Sequence, residues 1–175
     1  VCISILADRA AFDCPSVGIV TDFTVHPFWE STFLDYYVIP DELLEHEMQK
    51  KGIAKKKLLP FGIPIREQFV KKNDLIEARK KLGIENIPTI LIMMGSMGYG
   101  NIKKILAQID TYPKDFQVLC VCGTNKKIKS VVDECEWNKK IYSYGFVDNV
   151  DVMMDAADFI ITKPGGLTTS ESLAK

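Results

Sequence analysis

The sequence predicts an α/β fold built on parallel sheet. Two observations carry that reading. Thr89–Met94 (TILIMM), Gln117–Cys122 (QVLCVC), Lys140–Tyr144 (KIYSY) and Phe159–Thr162 (FIIT) are short strand-like runs, largely apolar and without in/out alternation, each separated from the next by a helical stretch. Strands of that kind are buried on both faces, which is the signature of a parallel sheet covered by crossover helices. Three of these runs are followed directly by glycine, at Gly95, Gly123 and Gly145, and the loop after the fourth carries the pair Gly165-Gly166. Right-handed crossovers put every strand-to-helix turn on one edge of such a sheet.

Taken in order, Pro15–Phe23 (PSVGIVTDF) reads as a buried strand with Thr21-Asp22 at its carboxyl end, the end that faces ligands in parallel sheets. His26, Pro27 and Trp29 follow in a loop, where a histidine serves as a base, a substrate ligand or simply a hydrogen-bonded loop residue. Asp35–Pro40 (DYYVIP) is a second strand. Asp41–Lys51 (DELLEHEMQKK) has acids first and lysines last, as a helix dipole favours, with Gly52 as its stop. Lys50, Lys51, Lys55, Lys56 and Lys57 cluster there, either as a solvated face or as a contact for anionic lipid.

Leu58–Ile65 (LLPFGIPI) is strand-like but broken by Pro60, Gly62 and Pro64. Lys71–Leu82 is polar and helical, with Asn73 or Asp74 as cap and Gly83 as stop. A boundary is expected near Pro64–Asn73, giving residues 1–66 as the end of one domain, 67–84 as a connecting segment and 85–175 as the start of a second. Helices are expected at about Asn101–Ile109, from Asn125 to about Cys135, and over Val150–Ala156.

Composition excludes several classes. Apolar content of 47% with 26% charged residues is that of a globular protein. A net charge of -1 gives no footprint for nucleic acid, and no apolar run is long enough to span a bilayer. The five cysteines, Cys2, Cys14, Cys120, Cys122 and Cys135, form no CxxC pair and read as thiols in a reducing compartment. Val1 in place of Met, and a last helix that has barely begun at Lys175, lead us to expect an internal piece of a longer protein.

The chemistry concentrates in Phe159–Ala174 (FIITKPGGLTTSESLA), a strand, a tight turn and a helix start. Glycines let backbone approach a ligand, and the opening N–H groups of a helix with its positive dipole end form an anion seat. Thr168, Thr169 and Ser170 are cap types. Glu171 stands where a carboxylate would accept hydrogen bonds from a ribose diol, yet Thr168-Thr169-Ser170-Glu171 equally fits a capping box. Gly95-x-x-Gly98-x-Gly100 is not the dinucleotide fingerprint, and no acid ends Gln117–Cys122, which argues against a nicotinamide dinucleotide. Two glycine-rich helix starts on one edge suit a nucleotide diphosphate, with Ser96 and Thr168 hydroxyls supporting it. There is no DxD or HxxxH pattern for a metal, and no resident cofactor is expected.

Together, Thr162–Glu171, Gly95–Gly100, Gly123-Thr124-Asn125, Gly145-Phe146-Val147, Gly62–Arg66 and Thr21-Asp22-Phe23-x-x-His26-x-x-Trp29 resemble one family. It is the monogalactosyldiacylglycerol synthase and processive diacylglycerol glucosyltransferase family, kin to the peptidoglycan N-acetylglucosaminyl transferase. The resemblance implies a GT-B architecture and the inverting, metal-independent transfer of glucose or galactose from a UDP-sugar to diacylglycerol. It implies work at the cytosolic membrane face, with an anionic membrane surface as partner. It assigns Gly95, Ser96 and Gly98 with Gly165, Gly166, Leu167 and Thr168 to the diphosphate, Phe146 and Val147 to uracil, and Glu171 to the ribose. Asn125 and Arg66 join the same substrate-binding set, and His26 becomes a cleft residue. The family's glycine-rich histidine loop, and with it the expected base, is not in this chain. Two other functions fit the same pattern: N-acetylglucosaminyl transfer to a polyprenyl-linked precursor, and a non-catalytic nucleotide-binding module.

Overall fold

The computed structural model describes residues 14–95 and 101–175. These divide into two compact units: residues up to Ile65 with Gly165–Ser170, and Arg66–Pro164 with Glu171–Lys175.

The first unit holds a parallel sheet in the order β1-β2-β3, with β1 at Val17–Ile19, β2 at Tyr36–Val38 and β3 at Leu58–Leu59. All three strands are shorter than the apolar runs that contain them. The run after Leu59 leaves the sheet because Pro60 and Pro64 have no N–H to give and Gly62 has a positive φ of 89°. Val20, Leu34, Tyr37, Ile39, Met48, Ile53 and Leu58 form the core. Tyr37 is buried with its hydroxyl satisfied, donating to the Thr32 carbonyl at 3.0 Å and accepting from Leu34 N–H at 3.1 Å. Gly18 is glycine for want of space: a methyl there would fall 2.7 Å from Leu34 Cδ1 and 2.9 Å from the Trp29 ring.

The helix expected over Asp41–Lys51 is a 3-10 turn, Glu42–Leu44, running into α1 at Glu45–Lys50. Asp41 caps it by accepting from Leu43 N–H at 2.9 Å. Four of the five clustered lysines are tied to the unit's own groups. Lys50 pairs with Glu47 at 2.7 Å, Lys55 with Glu45 at 2.6 Å and Lys51 with Glu30, while Lys57 donates to the Leu34 carbonyl at 2.8 Å.

The second unit holds β4 at Thr89–Met93, β5 at Gln117–Val121, β6 at Lys140–Tyr144 and β7 at Phe159–Thr162, in the order β6-β5-β4-β7, all parallel. Its helices are α2 at Glu67–Val70, α3 at Leu75–Leu82, α4 at Ile102–Asp110, α5 at Lys126–Glu134 and α6 at Val150–Ala156. A last helix, α7 at Gly166–Ala174, follows β7 and ends in this unit. Strand β5 is buried throughout and β4 nearly so, which explains their unbroken apolar runs. One face of the sheet packs Ile92, Val118 and Cys120 against Ile102 and Leu106 of α4 and Val132 of α5. The other carries Leu91, Met93, Leu119 and Val121, and α3 packs with α6.

Within the polar run from Lys71 the helix begins at Leu75, with the cap and the stop that the sequence marks. Asp74 is the cap of α3, accepting from Ile76 and Glu77 N–H, and Gly83 closes it in the left-handed region with φ 67°. Arg79 is buried and bonded through all three of its nitrogens. It donates to the Ala156 carbonyl at 3.1 Å, to Asn86 Oδ1 at 2.8 Å and to Asp158 Oδ2 at 2.7 Å, and Asp158 also accepts from Thr89 N–H.

Candidate functional site

Strands β4, β5 and β6 succeed one another outward, whereas β7 joins the opposite side of β4. The order therefore reverses between β4 and β7. Open parallel sheets bind ligands outside the carboxyl ends of their strands at such a switch point. Gly95 and Lys163 lie there, just past Met93 and Thr162, which are register partners.

Gly95 has φ 81°, a conformation that side chains rarely adopt. A methyl on it would stand 3.3 Å from Lys163 Cε and 3.8 Å from Nζ. The Lys163 stem thus reaches from the end of β7 to the backbone at the end of β4. Ser96 and Gly98, expected at the diphosphate, lie outside the described residues.

The ends of β5 and β6 are also neighbours. Cys122 N–H donates to the Tyr144 carbonyl at 2.8 Å, and a methyl on Gly145 would be 3.8 Å from the Gly123 carbonyl. Asn125 caps α5 by accepting from Ile128 N–H at 3.1 Å, so its side-chain oxygen serves the helix while its amide NH2 has no partner among the described residues. Phe146 is 69% exposed and Val147 half-buried, an open apolar shelf at the same sheet edge.

The last helix begins at Gly166, earlier than its cap-type residues suggest. Thr168, Thr169 and Ser170 are inside it, and Thr169 N–H donates to the Gly165 carbonyl at 3.0 Å. Thr168 is therefore not the cap of a capping box. Hydroxyl residues are tolerated within a helix when tertiary packing favours it. Gly165, Gly166, Leu167 and Thr168 belong to the first unit. There a methyl on Gly166 would fall 1.8 Å from the Thr21 carbonyl oxygen, so no side chain fits.

Glu171 is 9% exposed and belongs to the second unit. Its Oε1 accepts from both Nε and Nη2 of Arg66 at 3.3 Å. Arg66 precedes α2, and its guanidinium lies 4.8 Å from the centroid of the buried Phe69 ring. Sequence reasoning named both residues without seeing that they pair, because nothing in the pattern links positions this far apart.

His26 is exposed and caps the 3-10 turn Pro27–Ser31. Its Nδ1 accepts from Phe28 N–H at 3.2 Å, and its ring stands 4.5 Å from that of Phe28. Elsewhere, Cys120 and Cys122 place their sulfurs 3.9 Å apart on one buried face. The hydrogen bond to Cys122 and burial push the Cys120 thiol far up. Cys14, Cys120, Cys122 and Cys135 are all free thiols; Cys2 lies outside the described residues.

Residues 1–65 match the family model for monogalactosyldiacylglycerol (MGDG) synthase. The chain is 30% identical over 164 residues to a processive diacylglycerol beta-glucosyltransferase of Bacillus licheniformis, covering 91% of this chain and 43% of that protein. It is 32% identical over 167 residues to the chloroplastic monogalactosyldiacylglycerol synthase 1 of Arabidopsis thaliana, covering 90% of this chain and 31% of that protein. The chain thus spans less than half the length of the curated relatives it matches. Among solved structures, Anabaena Alr3699/HepE, crystallised with UDP-glucose, superposes with a TM-score of 0.63 at 14% identity, over 98% of this chain and 53% of that one. The fold is α/β of the GT-B type. By sequence, the chain is similar to members of the monogalactosyldiacylglycerol synthase and processive diacylglycerol glucosyltransferase family.

Proposed function

We propose that the protein to which this chain belongs transfers a hexose, glucose or galactose, from a UDP-sugar to diacylglycerol with inversion at the anomeric carbon. The observation that carries this reading is the chain reversal between β4 and β7, with glycine turns at the carboxyl ends of β4, β5 and β6. A switch point of that kind is where a nucleotide is expected. The names of the relatives supply the acceptor, diacylglycerol, and the HepE complex supplies the donor class.

In this reading the second unit holds the leaving UDP. Backbone at Gly95 faces the diphosphate, Phe146 and Val147 border the uracil, Glu171 takes the ribose hydroxyls and Asn125 offers its amide. Stabilising the leaving group with oriented dipoles lowers the barrier without moving a proton. The base that deprotonates the acceptor hydroxyl comes from elsewhere in the protein, and the reaction proceeds without a metal.

The protein works as a peripheral enzyme at the cytosolic membrane face. No helix among the described residues is long and apolar enough to cross a membrane. The exposed ion pairs of the lysine cluster contribute little to stability, so an anionic surface competes for the same ammonium groups.

The full-length protein, given UDP-glucose, UDP-galactose and UDP-N-acetylglucosamine with diacylglycerol vesicles, is expected to form a hexosyl diacylglycerol from one or both hexose donors, with EDTA present. Transfer from UDP-N-acetylglucosamine alone, or no interaction with UDP at all, would refute the assignment.

A further inference from the structure

We propose that Lys163 is the cation that binds the diphosphate of the nucleotide donor, an inference that rests on the UDP-sugar reading above. Lys163 stands at the carboxyl end of β7, at the switch point beside β4, where a parallel sheet opens to its ligand. Its stem crosses to the next strand end, with Cε and Nζ 3.3 Å and 3.8 Å from the place a Gly95 methyl would take. The ammonium therefore lies beside the turn already expected to face the phosphates. Any side chain at position 95 would push it aside.

The charge is also uncommitted. Several lysines of the second unit are locked to carboxylates: Lys71 to Glu67, Lys129 to Asp133, Lys140 to Glu85 and Lys175 to Asp155, at 2.6 to 2.8 Å. Lys163 is exposed and has no carboxylate partner among the described residues. An unpaired ammonium on a flexible stem acts as a point charge for phosphate and needs no fixed fork geometry. As the glycosidic bond breaks, its electron pair leaves with the β-phosphate oxygen. Lys163 stabilises that growing charge, and no proton or bond moves on the lysine itself.

The test uses the full-length protein and compares uridine, UMP and UDP binding by calorimetry in wild type, Lys163→Gln, Lys163→Met and Lys163→Arg. Methionine keeps an apolar stem over Gly95 and drops the charge. Losing a charge-assisted contact should weaken UDP binding by about 10-fold or more in the Gln and Met variants and uridine binding by less than about 2-fold, with UMP between them. Arginine should restore most of the UDP affinity. Added salt should weaken UDP binding in wild type more than in the neutral variants. Equal loss for uridine and UDP, or unchanged UDP binding, would overturn the role of Lys163. A wild-type protein that ignores UDP would instead overturn the nucleotide reading beneath it.

Discussion

Arg66 and Glu171, 105 residues apart, meet through a single oxygen: both Nε and Nη2 of the arginine reach Oε1 of the glutamate at 3.3 Å. The other carboxylate oxygen takes no protein donor among the described residues. Distances of this length are looser than the 2.7–2.9 Å of a tight charged hydrogen bond. The pair orients a nearly buried carboxylate and leaves it able to accept more. They are also the residues at which the chain twice enters the second unit.

If Glu171 takes the ribose diol, Glu171→Gln in the full-length protein should raise the UDP dissociation constant roughly 10-fold, from the loss of a charged acceptor. The loss should vanish with 2′,3′-dideoxy-UDP, which has no diol to bind. Arg66→Gln should show the same dependence on the diol with a smaller effect. An equal loss on both nucleotides would mean that Glu171 serves the fold alone.

His26 presents Nδ1 as an acceptor to Phe28 N–H, so its neutral ring carries the proton on Nε2. That tautomer donates to a ligand and is poorly suited to take a proton from one. His26→Asn, which preserves a capping oxygen, is expected to keep kcat within about 3-fold, whereas a lost general base typically costs 10²-fold or more. Nitrogen chemical shifts of the histidine ring should report the Nε2–H form.

Arg79 satisfies three acceptors from a site where its side chain is 6% exposed. Arg79→Ala removes the donors to the Ala156 carbonyl, Asn86 and Asp158, which keeps Thr89 N–H, and should destabilise the second unit by about 2 kcal/mol. Urea unfolding followed by a probe in that unit measures it. Glu77→Ala, at the exposed opening turn of the same helix, should change stability by less than about 0.5 kcal/mol.

The side chains of Asp155 and Lys175 are both 2% exposed and pair at 2.8 Å, and the same Asp155 oxygen accepts from Asn73 N–H at 3.0 Å and from Asn73 Nδ2 at 2.6 Å. Burial alone would raise the Asp155 pKa, but the hydrogen bonds from Lys175 and Asn73 and the lysine charge outweigh it, leaving the carboxyl below its ordinary value. A depressed folded pKa means that its stabilisation is complete above the unfolded value of about 3.9 and fades as pH falls through the folded one. Wild type should therefore lose unfolding free energy between pH 5 and about pH 2 more steeply than Asp155→Asn. Parallel curves would show that this carboxylate does not contribute.

The sheet of the second unit was legible because its strands are buried on both faces, and burial writes itself into unbroken apolar runs such as TILIM and QVLCV. Val150–Ala156 and Phe159–Thr162 fall within the residues the pattern marks. The first unit was read too generously. Apolar runs there continue past the strands into proline-broken turns, and apolarity does not distinguish a ladder from a loop packed on the same core.

By itself the sequence determined a parallel α/β chain with glycine turns at strand ends, and its likeness to diacylglycerol glycosyltransferases. Only the tertiary structure decided that β7 lies beside β4, that Arg66 holds Glu171, that the final helix starts at Gly166 and that Lys163 reaches Gly95. The reason is physical. Periodicity and propensity record what each residue meets within a turn or two of chain, whereas strand order and charge pairing are settled by residues tens of positions away that packing brings within a few ångströms.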